Sequence, residues 1–158
     1  MRARAGDGCV SVVTEREREL FLEFLFFERG IMGVSLIAEC DRFCDYYGMR
    51  GWVDGRGQPV TDKMACLRLW KVQGLSTKPP DGMMEAWREL CLLGGGQFTK
   101  CFIMGVSKIE CREGNAVLHC KEEIRDMVEN LFLSHIDSRD FINWRVNFKC
   151  NKLIYKIL

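Results

Sequence analysis

Proline is almost missing from this chain of 158 residues, with three in all, and no polar or low-complexity run is long enough to mark a disordered tract. Net charge is as scarce: 23 Lys and Arg against 22 Asp and Glu leave +1. That balance offers nucleic acid or an anionic membrane no global attraction, so either would need a local patch. No apolar run approaches the roughly 18 residues that a spanning helix requires. The longest, Leu20 to Phe27, is interrupted by Glu23 and closed by Glu28 and Arg29. The opening residues, Met1 to Gly8, lead into no apolar stretch of the kind a signal peptide carries. With only two histidines, His119 and His135, few general bases are available to activate a thiol or hydroxyl. Neither glycine-rich segment, Asp54-Gly55-Arg56-Gly57 nor Gly94-Gly95-Gly96-Gln97, has the Lys-Ser/Thr ending of a P-loop or the spacing of a dinucleotide fingerprint. No nucleophile elbow is present, and the reading is of a protein that is not an enzyme.

What the chain does have is length enough for a core of its own and an unusual number of thiols. A domain of this size buries roughly 70% of the surface its unfolded form exposes, without help from metal or disulfides. The nine cysteines are odd in number and accompany no export signal, which reads as reduced thiols in an intracellular protein, packed as small apolar residues. Structural zinc sites announce themselves by close pairs such as Cys-x2-Cys, because both ligands must converge from one turn. None occurs here, and the only set left to consider is Cys101, Cys111, His119 and Cys120. In a regular strand His119 and Cys120 would point to opposite faces, so no cofactor and no metal is expected.

Periodicity predicts a single α+β domain over 14–158 behind a flexible tail at 1–13, helical over 14–93 and mainly β over 97–158. Thr14-Glu15-Arg16-Glu17 fits the capping box, opening a helix at about 15–29 whose apolar residues nearly encircle it. Such a helix calls for cover on most sides, from the core or from a partner, including a second copy. Leu36, Ile37, Cys40, Phe43, Cys44 and Tyr47 recur on one face of a second helix that ends at Gly48. A glycine-rich loop follows, with Trp52 read as exposed, then helices at 62–73 and, capped by Asp81, at 82–93. Beyond Gly94-Gly95-Gly96 the reading is extended over 98–112, with a turn at Glu113-Gly114-Asn115 and a return strand over 116–120. A helix carrying Ile124, Met127, Val128, Leu131 and Phe132 intervenes. Strict alternation over 142–150 and a closing strand over 153–157 complete a C-terminal antiparallel sheet on which the helical half packs.

Ser35-Leu36-Ile37-Ala38-Glu39-Cys40-Asp41-Arg42-Phe43-Cys44 resembles the BC box, the Elongin C-binding helix of ubiquitin-ligase substrate receptors. On that resemblance Leu36 would fill the Elongin C pocket, Cys40 would pack beside it, and Cys44 would stand where the pattern usually has an aliphatic residue. Gly33 to Ile37, Leu90 to Gln97 and Val146 to Tyr155 are similar to segments, in the same order, of adenoviral early-region ligase-adaptor proteins. The resemblance implies a viral accessory adaptor recruiting a host Elongin B/C and cullin ligase. Phe21, Phe26 and Trp52 join Leu36, Cys40 and Cys44 as candidate contact residues, because large aromatics dominate interface energetics. The alternative is a nucleic-acid-binding regulator using Arg145, Lys149 and Lys156, on what reads as the polar face of the last strands.

Overall fold

In a computed structural model, residues 13–72, 81–148 and 152–158 are described. The chain is α+β, with an N-terminal helical region and a small C-terminal mixed sheet flanked by helices on both sides. All but the last residue of the expected tail lies outside the described residues, as do Cys9, Lys149 and Cys150.

Helix α1 (Glu15–Phe27) begins as its capping box dictates. Thr14 Oγ1 accepts from the Glu17 amide at 3.1 Å, and Glu17 accepts from the Thr14 amide at 2.9 Å. Helix α2 (Val34–Gly48) starts from Gly33, whose φ of +67° lies in the left-handed region. A Cβ there would come within 3.4 Å of the Ser107 carbonyl oxygen, so glycine also lets α2 begin close against the sheet. The helix predicted over 62–73 is only α3 (Lys63–Arg68), capped by Asp62. Arg29 ends it by donating to the carbonyls of Arg68 and Trp70, satisfying acceptors that a longer helix would have used internally. Helix α4 (Asp81–Gly94) follows, beginning one residue earlier than predicted, at Asp81 itself.

The segment from Gln97 to Gly105 is not extended; it belongs to helix α5 (Gly96–Gly105). Thr99 Oγ1 donates to the carbonyls of Cys91 and Gly95, tying the new helix to the end of α4. Phe98 and Phe102, four residues apart, stack at 6.0 Å on the buried side. Two strands then pair antiparallel as predicted, β1 (Val106–Arg112) with β2 (Asn115–Cys120). Helix α6 (Glu122–Ser134) also stands where the apolar spacing put it.

The alternating stretch over 142–150 is helical instead, in α7 (Arg139–Phe148). The apolar residues at even positions imitate a strand, but Phe141, Trp144 and Phe148 stand at i, i+3 and i+7, and Ser138 Oγ accepts from the Phe141 amide as a helix cap. Phe141 and Trp144 are buried while Ile142 is 50% exposed, whereas a strand would put Ile142 and Trp144 on one face. The last strand, β3 (Leu153–Ile157), pairs parallel to β2, so the sheet order is β1-β2-β3 and the sheet is mixed, not antiparallel. The parallel connection requires a crossover, which α6 and α7 supply.

The core runs as one aromatic chain across the helices. Phe26 of α1 meets Phe102 of α5, Phe102 stacks on Trp87 of α4, and Trp87 meets Trp144 of α7, with centroids 5.3–6.1 Å apart. The Trp144 indole donates to the Ala86 carbonyl at 2.5 Å, locking α7 on α4 and satisfying a group that burial would otherwise penalise.

Candidate interaction surface

Five of the six expected contact residues face inward. Leu36, Cys40, Phe21, Phe26 and Trp52 are at most 3% exposed and belong to the core; only Cys44 is half-buried. The spacing of Leu36 and Cys40 is what an interior helix face produces, and here the chain itself fills the groove that a partner would offer. Of the apolar residues encircling α1, Phe21, Leu25, Phe26 and Phe27 are consumed inside, Leu22 and Phe24 are partly covered and Leu20 is exposed; Phe21 is edge-on to Phe43 at 5.3 Å and Phe26 lies against Phe102. Trp52, expected to be exposed, is turned in by its own backbone. Its φ is +56°, its amide donates to the Tyr47 carbonyl at 2.8 Å, and its ring stacks on Tyr47.

The cysteine and histidine set does not converge. Cys101 lies on α5, and Cys111 stands opposite Ala116 near the hairpin tip, whereas Cys120 ends β2. Four residues of extended chain put about 13 Å between Ala116 and Cys120. His119 points to the other sheet face, where its Nε2 lies 2.5 Å from Glu110 Oε2. Among the described residues no group of three or more His, Cys, Asp or Glu side chains is placed to hold a metal ion. The basic strand face also dissolves. Arg145 sits on α7 and Lys156 on β3, so the two no longer share one strand, and Lys149 lies outside the described residues.

Register defines the two faces of the sheet. Ile109, Leu118 and Tyr155 share one face, from which Tyr155 reaches Glu129 of α6; Lys108, Glu110, Val117, His119, Ile154 and Lys156 share the other. Hydrogen bonding to His119, with Arg112 and Lys108 beside it, pulls the Glu110 carboxyl down to about 2. Tyr155 donates its hydroxyl to Glu129 at 2.6 Å, and burial and that carboxylate push its ionisation well above the usual value.

The outer edge of β3, beside which no strand lies among the described residues, is the feature that pattern reading missed. Lys152 accepts from the Ala116 amide and Leu158 donates to the Cys120 carbonyl, so even-numbered residues face β2. The N–H and C=O groups of Leu153, Tyr155 and Ile157 therefore point the other way, and among the described residues no backbone hydrogen bond reaches them. Ile154, Ile157 and Leu158 are 37%, 42% and 69% exposed alongside. A turn at Asn151-Lys152 gave the closing strand over 153–157, but its place at the sheet edge depends on the crossover and could not be read locally. Among the described residues no helix is long and apolar enough to cross a membrane. Comparison of the chain with protein-family models, with curated proteins and with solved structures found no match.

Proposed function

We propose that this protein is a non-catalytic interaction protein, an adaptor that binds an extended segment of another protein along the open edge of β3. The observation carrying the reading is the backbone of Leu153, Tyr155 and Ile157, which no strand among the described residues pairs on its outer side, beside exposed Ile154 and Ile157. A strand edge of this kind is a template for a further strand, with main-chain bonds giving affinity and alternate side chains giving selectivity. A natural edge meant to stay single is usually guarded by charged side chains, above all lysine, by proline or by a bulge, and β3 has a single such guard. Lys156 is the one charged residue within β3 and points to the outer face. An incoming strand would set apolar side chains beside Ile154 and an acid beside Lys156.

Extended peptides selected for binding to the purified protein test this. Ile157→Pro removes an edge-facing N–H without touching the bonds to β2, and it should weaken the selected peptides by at least about tenfold while the circular dichroism spectrum holds. Undiminished binding by that variant would overturn the assignment. Elongin B/C is the partner that the BC-box resemblance names. Since Leu36 and Cys40 are core residues, α2 would have to leave the fold to dock in that groove, and we place any such contact at β3 instead. Purified Elongin B/C captured by wild type and equally by Ile157→Pro, but lost on Leu36→Ala in a still folded chain, would return the contact to α2.

A further inference from the structure

Trp70, just past the end of α3, is pinned against α2 by a buried acid. Its indole N–H donates to Glu39 at 2.7 Å, and Glu39 also accepts from Arg42. The Arg42 guanidinium lies over the Trp70 ring, 4.5 Å from its centroid, and donates to the Lys71 carbonyl at 2.9 Å. Tyr46, one turn on from Arg42, meets Trp70 at 5.3 Å and carries the Arg50 guanidinium on its own ring at 3.7 Å. Arg42, Tyr46 and Arg50 therefore form one stripe of α2, at i, i+4 and i+8, with Trp70 packed along it. Burying a carboxylate has a desolvation cost that an apolar residue would avoid. What Glu39 gives in return is a fixed pose for Trp70 and Arg42 beside solvent.

We propose that this stripe is a docking surface for an acidic segment of a partner protein, whose carboxylates meet Arg50, Arg68 and Lys71 while an apolar side chain between them covers Met49 and Leu69. Charge complementarity is the argument for the acid. Arg50, Arg68 and Lys71 make no ion pair among the described residues, and the acids beside them are Glu39, which Arg42 takes up, and Asp45. A guanidinium lying flat on a ring keeps its in-plane N–H groups for a carboxylate. Met49 and Leu69, each 86% exposed, supply the apolar part. Interfaces collect Trp, Tyr, Arg and Met, and side chains already held in place lose little freedom on binding. Nucleic acid is the poorer fit, because single strands stack their bases on open aromatic faces, whereas guanidinium groups already cover Tyr46 and Trp70. The surface shares no residue with the β3 edge and stands whether or not that edge binds.

The test is fluorescence anisotropy of the whole chain with a labelled peptide in which Asp and Glu alternate with Leu and Phe. Saturable binding is expected, and the same peptide with Lys in place of its acids should not bind. Arg50→Ala and Leu69→Asp, both at exposed positions, should each weaken binding by at least about tenfold while the circular dichroism spectrum holds. Arg145→Ala, which removes an exposed arginine from α7, should leave it unchanged and so separates this surface from general attraction of an acid to any cation. Ile157→Pro should also leave it unchanged, which separates it from the β3 edge. Failure of wild type to bind the acidic peptide, undiminished binding by Arg50→Ala, or an equal loss in Arg145→Ala or Ile157→Pro overturns the proposal. Tighter binding of an oligodeoxythymidine than of the peptide overturns it too, and gives the surface to nucleic acid.

Discussion

Glu110 shows how much one half-buried carboxylate can owe to its neighbours. Its folded value of about 2 lies below the usual 4.5, with the His119 hydrogen bond as the main cause. The carboxylate's contribution to stability is therefore complete above about pH 4.5 and is lost as the pH falls towards 2, because protonation must break the contacts the charge makes. Urea midpoints measured between pH 2 and 5 should fall with acid in wild type and fall less steeply in Glu110→Gln. Equal slopes would mean that solvent screens the cluster completely. Side chains on the hairpin were legible in the sequence as alternating, and the turn at Glu113-Gly114 forms where predicted, with both residues at positive φ. The His119 partnership was not legible, because it joins residues on two strands through register. Trp52 failed for a related reason: its left-handed backbone turns a loop residue inward, and no spacing rule anticipates that.

Among the elements, α7 carries the sharpest lesson and the most direct check. A run in which Ile142, Trp144, Val146 and Phe148 alternate with polar residues also satisfies a helix, provided the aromatics at 141, 144 and 148 define its face. Two periods fit one sequence, and the packing of Trp144 against α4 decides between them. Ile142→Lys should change stability by less than about 0.5 kcal/mol, as an exposed helical position does, whereas Phe141→Ala should cost about 3–5 kcal/mol. Thermal or urea unfolding separates the two outcomes, and a large loss from Ile142→Lys would restore the strand. The same competition explains α5, where alternation over 98–106 reads as extended but Phe98 and Phe102 stack as helical neighbours. Helix α5 ends at Gly105, where a Cβ would stand 2.3 Å from Ile124 Cγ1 of α6. Gly105→Ala should then cost about 1–3 kcal/mol by forcing the two helices apart, and shortening Ile124 to Ala in the same chain should recover part of the packing strain. By contrast α1 was readable from its capping box, α2 from its apolar stripe and the stop at Gly48, and α6 from its apolar stripe.

At the scale of the whole molecule, the α+β class and the helical first half followed from periodicity, while the handedness of pairing in the sheet did not. A strand pattern says that β3 pairs; only the crossover through α6 and α7 makes that pairing parallel and, among the described residues, leaves β3 at an edge of the sheet, as β1 is at the other. The seven described cysteines are all free thiols, scattered over α2, α3, α4, α5 and the hairpin. Melting curves taken with and without a strong chelator should accordingly superimpose. A structural zinc would contribute on the order of 10 kcal/mol and separate them widely. The parallel partnership also sets an order of events in time. Every contact between β2 and β3 closes the loop of residues 121–152, and gathering a loop of that length costs about 3 kcal/mol in chain entropy before any strand bond forms. The helices and the β1–β2 hairpin need no such closure, so β3 is the last piece to dock during folding and the first to detach during local opening. Amide exchange should be faster at Leu118, which bonds towards β3, than in the interior turns of α4. Any strand laid along the outer edge would clamp that final step and slow the exchange.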